Sequence, residues 1–155
     1  MRAYSGRPEA SRGLLEDVLG FERSGDGYEA RGEQRGGRYV YDEPPEAPGL
    51  QSAGTIHHVA WVATMDEHEA WQQRLRAAGA PVTPVIDRFY FRSIYFREPS
   101  GVLFEIATLG PGFATDEDAD HLGERLSLPP NFERYRDQVE QTLTPIVNPR
   151  LTRTT

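Results

Sequence analysis

Two histidines stand side by side at 57–58 in the stretch TIHHVAWVA, and a single glutamate, Glu105, interrupts the apolar run GVLFEIAT. Imidazole nitrogens and carboxylate oxygens are common ligands of divalent transition metals. A face of two histidines and one carboxylate leaves positions open for substrate and dioxygen on non-haem iron. Both stretches have the composition of strands, in which successive side chains point to opposite faces. Adjacent histidines therefore cannot easily grip one ion, and one of the pair is expected to be a ligand with the other its neighbour. His58 shares a face with Ala60 and Val62, and His57 shares the other with Val59 and Trp61. Glu105 lies with Leu103 and Ala107, opposite Phe104 and Ile106. Each strand thus has one bulky apolar face suited to packing. Its other face holds smaller residues and one metal-competent group, suited to line a cavity. A carboxylate in such a run is costly to bury unless a cation or hydrogen-bond donors meet it. Plainer roles stay open for these motifs: a structural histidine pair, and a glutamate that pairs with an arginine. The other two histidines, His68 in a predicted helix and His121 in an acidic tail, are expected at the solvated surface.

The elements that must position these residues repeat along the chain. Segments 8–20 (PEASRGLLEDVLG) and 67–79 (EHEAWQQRLRAAG) both read as amphipathic helices ending on a glycine, Gly20 or Gly79, suited to a left-handed cap. Leu14, Leu15, Val18 and Leu19 form the apolar face of the first, and Trp71, Leu75 and Ala78 that of the second, with Asp66 and Glu69 as a capping box. A short strand precedes each helix, at 1–5 and 56–63, and three follow. In the first copy these fall near 21–24, 27–31 and 37–41; in the second near 82–91 in irregular form, 93–98 and 102–108, the last two joined through EPSG. The chain therefore reads as α+β: a first βαβββ module at 1–45, a linker at 46–54 within a Pro-rich stretch, and a second module at 55–110 carrying the candidate metal ligands. A tail at 111–155 follows, with a helix near 131–143 and a frayed end at 150–155, expected to serve packing or dimer contact.

Composition removes several classes of chemistry. There is no cysteine among 155 residues, hence no disulfide framework, thiolate nucleophile or zinc finger. All 17 basic residues are arginine, so neither Schiff-base chemistry nor a P-loop lysine is possible. A net charge of −7 argues against nucleic acid or an anionic membrane as partner. With a mean hydropathy of −0.62 and no long apolar run, no membrane span is expected. The absence of an opening signal segment makes a cytoplasmic location the expectation.

The doubled βαβββ pattern, with a histidine on one module's first strand and a glutamate on its last, resembles the vicinal oxygen chelate fold. More narrowly, GTIHHVAWVA, PVTPVIDRFYFRSIYFREPSGVLFEIAT and GPGFATDE resemble the C-terminal half of the hydroquinone-type ring-cleaving dioxygenases, extradiol-type enzymes of that superfamily. The resemblance spans about 1–145. It implies two modules whose sheets curl around a cavity, and a non-haem Fe(II) held by His58 and Glu105, with Mn(II), Zn(II) or Ni(II) as other candidates. It further implies His57 as an acid/base beside the metal, Arg88 of DRFYFRS and Tyr95 of SIYFRE as pocket residues, and a small aromatic substrate with dioxygen (O2). A neutral histidine there can take and return a phenolic proton, and Arg88 and Tyr95 can hydrogen-bond a substrate oxyanion. Arg88 as a surface charge and Tyr95 as a strand former are the plain alternatives.

One departure stands out. Aligning Gly20 with Gly79 puts the counterpart of His58 at or before residue 1, and the opening MRAYSG holds no histidine. The resemblance implies that the further ligand belongs to an N-terminal half, so the chain is expected to act with that missing half or as a homodimer. Two other functions remain in view: a metal-dependent lyase or isomerase of glyoxalase type, and a non-catalytic small-molecule-binding module.

Overall fold

The computed structural model describes residues 1–33, 35–47 and 49–147; the expected frayed end lies outside the described residues. Strands β1 (Arg2–Tyr4), β2 (Glu22–Ser24), β3 (Gly27–Arg31) and β4 (Gly36–Asp42) form one four-stranded sheet in the order β1-β4-β3-β2. Strands β5 (Val59–Ala63), β6 (Ile86–Asp87), β7 (Phe91–Arg97) and β8 (Leu103–Pro111) form a second in the order β5-β8-β7-β6. In each sheet the first strand runs parallel to the last, and the remaining pairs are antiparallel. The α+β architecture and its internal repeat are therefore as the sequence predicts.

The helical segments differ from expectation in kind. Residues 8–20 do not form one α-helix: Pro8–Ser11 is a 3-10 turn and Leu14–Val18 a π turn closed by Leu19 N–H to Leu14 O at 2.9 Å. Arg12 and Gly13, both in right-handed helical conformation, join the two turns. The wider π turn still buries Leu15 completely. Both cap glycines adopt positive φ, +71° at Gly20 and +76° at Gly79, so that part of the reading stands. Helix α1 spans His68–Ala77; Leu75 is fully buried and Trp71 packs against the core as expected, but Ala78 is exposed and the polar His68 and Gln72 join the buried stripe. His68, expected at the solvated surface, is fully buried: its Nε2 meets Ile106 O on β8 at 2.9 Å. Gln72 is satisfied by Thr83 O at 2.6 Å. Trp71, partly buried against the core, also carries the guanidinium of Arg74 over its ring.

The capping box also moves. Asp66 and Glu69 do not form it; Thr64 Oγ1 donates to Glu67 Oε2 at 2.8 Å and accepts from Glu67 N–H at 3.4 Å. The box thus closes on the turn leading into α1. Thr64→Ala is expected to cost about 1 kcal/mol, read as a drop of about 2–4 °C in a thermal melt. In the tail, the helix near 131–143 is a 3-10 turn, Glu133–Tyr135, followed by α2 at Arg136–Thr142.

The core is aromatic where the two modules meet. Tyr39 of β4 packs edge-on against Trp61 of β5 and Phe104 of β8, with centroids at 6.1 and 5.3 Å. Phe21 meets Trp61 at 4.8 Å and Phe96 meets Phe104 at 5.8 Å. Parity holds on both strands: Val59, Ala63, Phe104 and Ile106 are buried on this side, and Val62, on the opposite face of β5, is 50% exposed. The second sheet therefore turns one face to the core and offers the other for chemistry.

Candidate metal centre

The open face of the second sheet gathers the five residues singled out by sequence. Strand β5 begins at Val59, later than the predicted 56, so His57 and His58 sit in the segment just before it. Their rings meet edge-on, with Nδ1 of one 2.9 Å from Nδ1 of the other. Only His58 then reaches inward. Its Nε2 lies 2.8 Å from Glu105 Oε2, and His57 stays on the exposed side.

Glu105 belongs to β8 and is only 4% exposed. Its burial is supported by donors from β7: Tyr95 OH at 2.6 Å and Ser93 Oγ at 2.5 Å, both on Oε1. Register explains the convergence. Tyr95 lies directly across from Glu105 in the antiparallel ladder, and Ser93, two residues back, occupies the adjacent place on the same face. An irregularity between Phe91 and Ser93 shifts the register just before the site, as bulges beside functional groups often do. Arg88, in the segment after β6, carries its guanidinium 5.7 Å from the Tyr95 ring centroid, and the His58 ring meets the same tyrosine edge-on at 5.6 Å. His57, His58, Arg88, Tyr95 and Glu105 thus form one continuous group. Ser93 was missed as a functional residue; its signal was its i, i+2 spacing to Tyr95 on a strand facing Glu105. His121 lies apart, exposed and 3.1 Å from Glu124.

The donor set suits a divalent cation in part. Two ligand atoms bound at right angles, each at about 2.1 Å, would be about 3 Å apart, and the His58 and Glu105 atoms are separated by 2.8 Å. Neutral imidazole with carboxylate fits Fe(II), Mn(II) or Zn(II). Among the described residues no third His, Cys, Asp or Glu joins them.

Residues 1–106 match the family described as the Glyoxalase/Bleomycin resistance protein/Dioxygenase superfamily. Over 146 residues the chain is 44% identical to MhqO of Bacillus subtilis (strain 168), named as a ring-cleaving dioxygenase, covering 91% of this chain and 47% of that one. It is 37% identical over 115 residues to the chlorohydroquinone/hydroquinone 1,2-dioxygenase of Sphingobium indicum, covering 70% of this chain and 35% of that enzyme. A crystal structure from Bacillus subtilis, named as a dioxygenase, superposes with a TM-score of 0.82 at 40% identity, covering 94% of this chain and 49% of the other. The chain spans about half the length of MhqO and of that crystallised protein.

Proposed function

The chain belongs to the Glyoxalase/Bleomycin resistance protein/Dioxygenase superfamily, and from that premise we propose that it is the metal-holding half of an extradiol-type dioxygenase. In this reading it corresponds to a C-terminal half and opens hydroquinone- or catechol-like rings with dioxygen. The observation that carries the proposal is the pairing of His58 Nε2 with Glu105 Oε2 at 2.8 Å, beside His57, Tyr95 and Arg88. His58 and Glu105 would hold Fe(II), which supplies the open positions that bring the aromatic diol and dioxygen together.

The chain's own groups divide the remaining work. When His58 turns the Nε2 lone pair to a cation, its proton resides on Nδ1 and is donated to His57 Nδ1, 2.9 Å away. His57 then carries its own proton on Nε2. Through that N–H it can donate a hydrogen bond to a phenolate oxygen of the substrate. Tyr95 commits its single proton to Glu105 Oε1, so toward a substrate it offers an acceptor oxygen. Arg88 offers a guanidinium fork suited to hold a phenolate or a developing enolate.

The remaining ligand is read as coming from a counterpart, either a second pair of modules or a second copy of the chain. Val62 and Leu109, 50% and 55% exposed, flank the open face that such a counterpart would cover. For the chain alone a dimer is expected in light scattering at micromolar concentration; a monomer would count against a second copy.

The functional test is anaerobic Fe(II) titration of the chain, alone and with the N-terminal region of a full-length relative, followed by oxygen uptake with hydroquinone. Oxygen consumption matched by ring-opened product is the expected result. Turnover without oxygen under Ni(II) or Mn(II), or ligand binding with no metal at all, would overturn the dioxygenase reading.

A further inference from the structure

Glu105 has two oxygens, and the fold treats them differently. Oε1 receives two hydroxyls, Ser93 Oγ at 2.5 Å and Tyr95 OH at 2.6 Å. Among the described residues Oε2 meets His58 Nε2, at 2.8 Å. A carboxylate oxygen accepts about two hydrogen bonds, so Oε1 is filled and Oε2 keeps an open lone pair toward the histidine. The two clamping residues differ in exposure. Tyr95 lies partly open beside Arg88, whereas Ser93 is fully buried. No substrate can reach Ser93.

We infer that Ser93 is a positioning residue: with Tyr95 it pins Glu105 Oε1, so that the carboxylate presents Oε2 alone to His58 and the open face of the second sheet. The inference rests on the metal-centre reading above and deepens it. Without the clamp, the carboxylate of a glutamate turns about its last torsion, which is broad and roughly two-fold, and either oxygen, or both, could face a cation. Pinning one oxygen leaves a neighbouring coordination position free for a substrate. The clamp also assigns the two β7 residues separate tasks, because Ser93 can secure the carboxylate while the tyrosine ring carries Arg88 on its face. A hydroxyl buried solely to satisfy a buried acid would place no demand on which oxygen it meets. Here both hydroxyls converge on the oxygen that His58 does not use.

The test has two readouts. In the wild-type protein labelled with 13C at the glutamate carboxyl, the Ser93 hydroxyl proton is expected to exchange slowly and to correlate with the Glu105 carboxyl carbon. Exchange at solvent rate would overturn the clamp. The second readout is Mn(II) affinity, measured well below the melting temperature. Ser93→Ala is expected to weaken it about 10–100-fold, as loss of a group that orients a ligand does, and Ser93→Thr to restore most of the loss. Unchanged affinity in Ser93→Ala, or no recovery in a folded Ser93→Thr, would overturn the inference while leaving the metal centre intact. If wild-type protein bound no Mn(II) yet protected the Ser93 proton, the clamp would stand and the metal-centre reading would fall.

Discussion

Glu105→Ala is expected to weaken Mn(II) or Fe(II) binding by about 100-fold or more, because changes to groups that merely orient a ligand already cost about 10–100-fold. The substitution removes the charged donor and leaves His58 as the only one of the pair. His58→Ala should do the same from the other side. Since the two atoms lie 2.8 Å apart and face one point, the double variant should be little worse than either single one. Residues that act as a unit are not additive. His57→Ala is the informative contrast. It keeps both donors but removes the partner of His58 Nδ1, so affinity should fall by about 10-fold, at the lower end of the outer-group range. Turnover should fall further, through loss of the N–H that His57 offers to a substrate oxygen. Calorimetric titration under nitrogen gives the affinities, and circular dichroism confirms folding. Wild-type affinity in folded Glu105→Ala or His58→Ala would remove the metal centre altogether.

Much of this site is legible in sequence because strand parity is a strong constraint. Phe104 and Ile106 had to share one face and Glu105 the other; Leu103, Ala107 and Leu109 on the second face are the more open ones, while Glu105 is buried among its hydroxyl donors. The same parity placed His58 rather than His57 inward, although the pair lies in the segment just before β5. What could not be read was burial of polar groups. His68 and Gln72 occupy the core stripe of α1 because backbone carbonyls of Ile106 and Thr83 wait for them. An apolar-periodicity argument finds Leu75 and Trp71 but passes over the polar members of the same buried stripe. The π turn escaped for a related reason: the spacing of Leu14, Leu15, Val18 and Leu19 suits an α or a π turn alike. Ser93 was hidden because a serine in a strand carries no signal until its partner across the ladder is known.

Glu98 shows how the hairpin bearing Ser93, Tyr95 and Glu105 is held to the first module, and its loss should produce the largest change in stability. It is 1% exposed and opens the turn between β7 and β8. From its own module Oε1 accepts Val102 N–H at 2.8 Å and Oε2 accepts Ser100 N–H at 2.9 Å. From the other module Oε2 accepts Tyr41 OH at 2.9 Å and the Ser11 hydroxyl. Burial, above all, pushes the Tyr41 hydroxyl up to about 12, so it remains a donor through the ordinary pH range. Each hydrogen bond to a charged group contributes about 1.5–3 kcal/mol, and each donor left bare costs about 1–3 kcal/mol; relief of the buried charge offsets part of both. Glu98→Ala should therefore destabilise the protein by about 3 kcal/mol, lowering the melting temperature by about 6–12 °C. Tyr41→Phe, which removes one donor and leaves the carboxylate with three, should cost about 1 kcal/mol. The anchor differs from the clamp on Glu105 in what it controls. Below its melting temperature, Glu98→Ala should retain most of its Mn(II) affinity, because Ser93 and Tyr95 still converge on Oε1. An unchanged melting temperature would show that the aromatic contacts of Tyr39 with Trp61 and Phe104 hold the modules together without it.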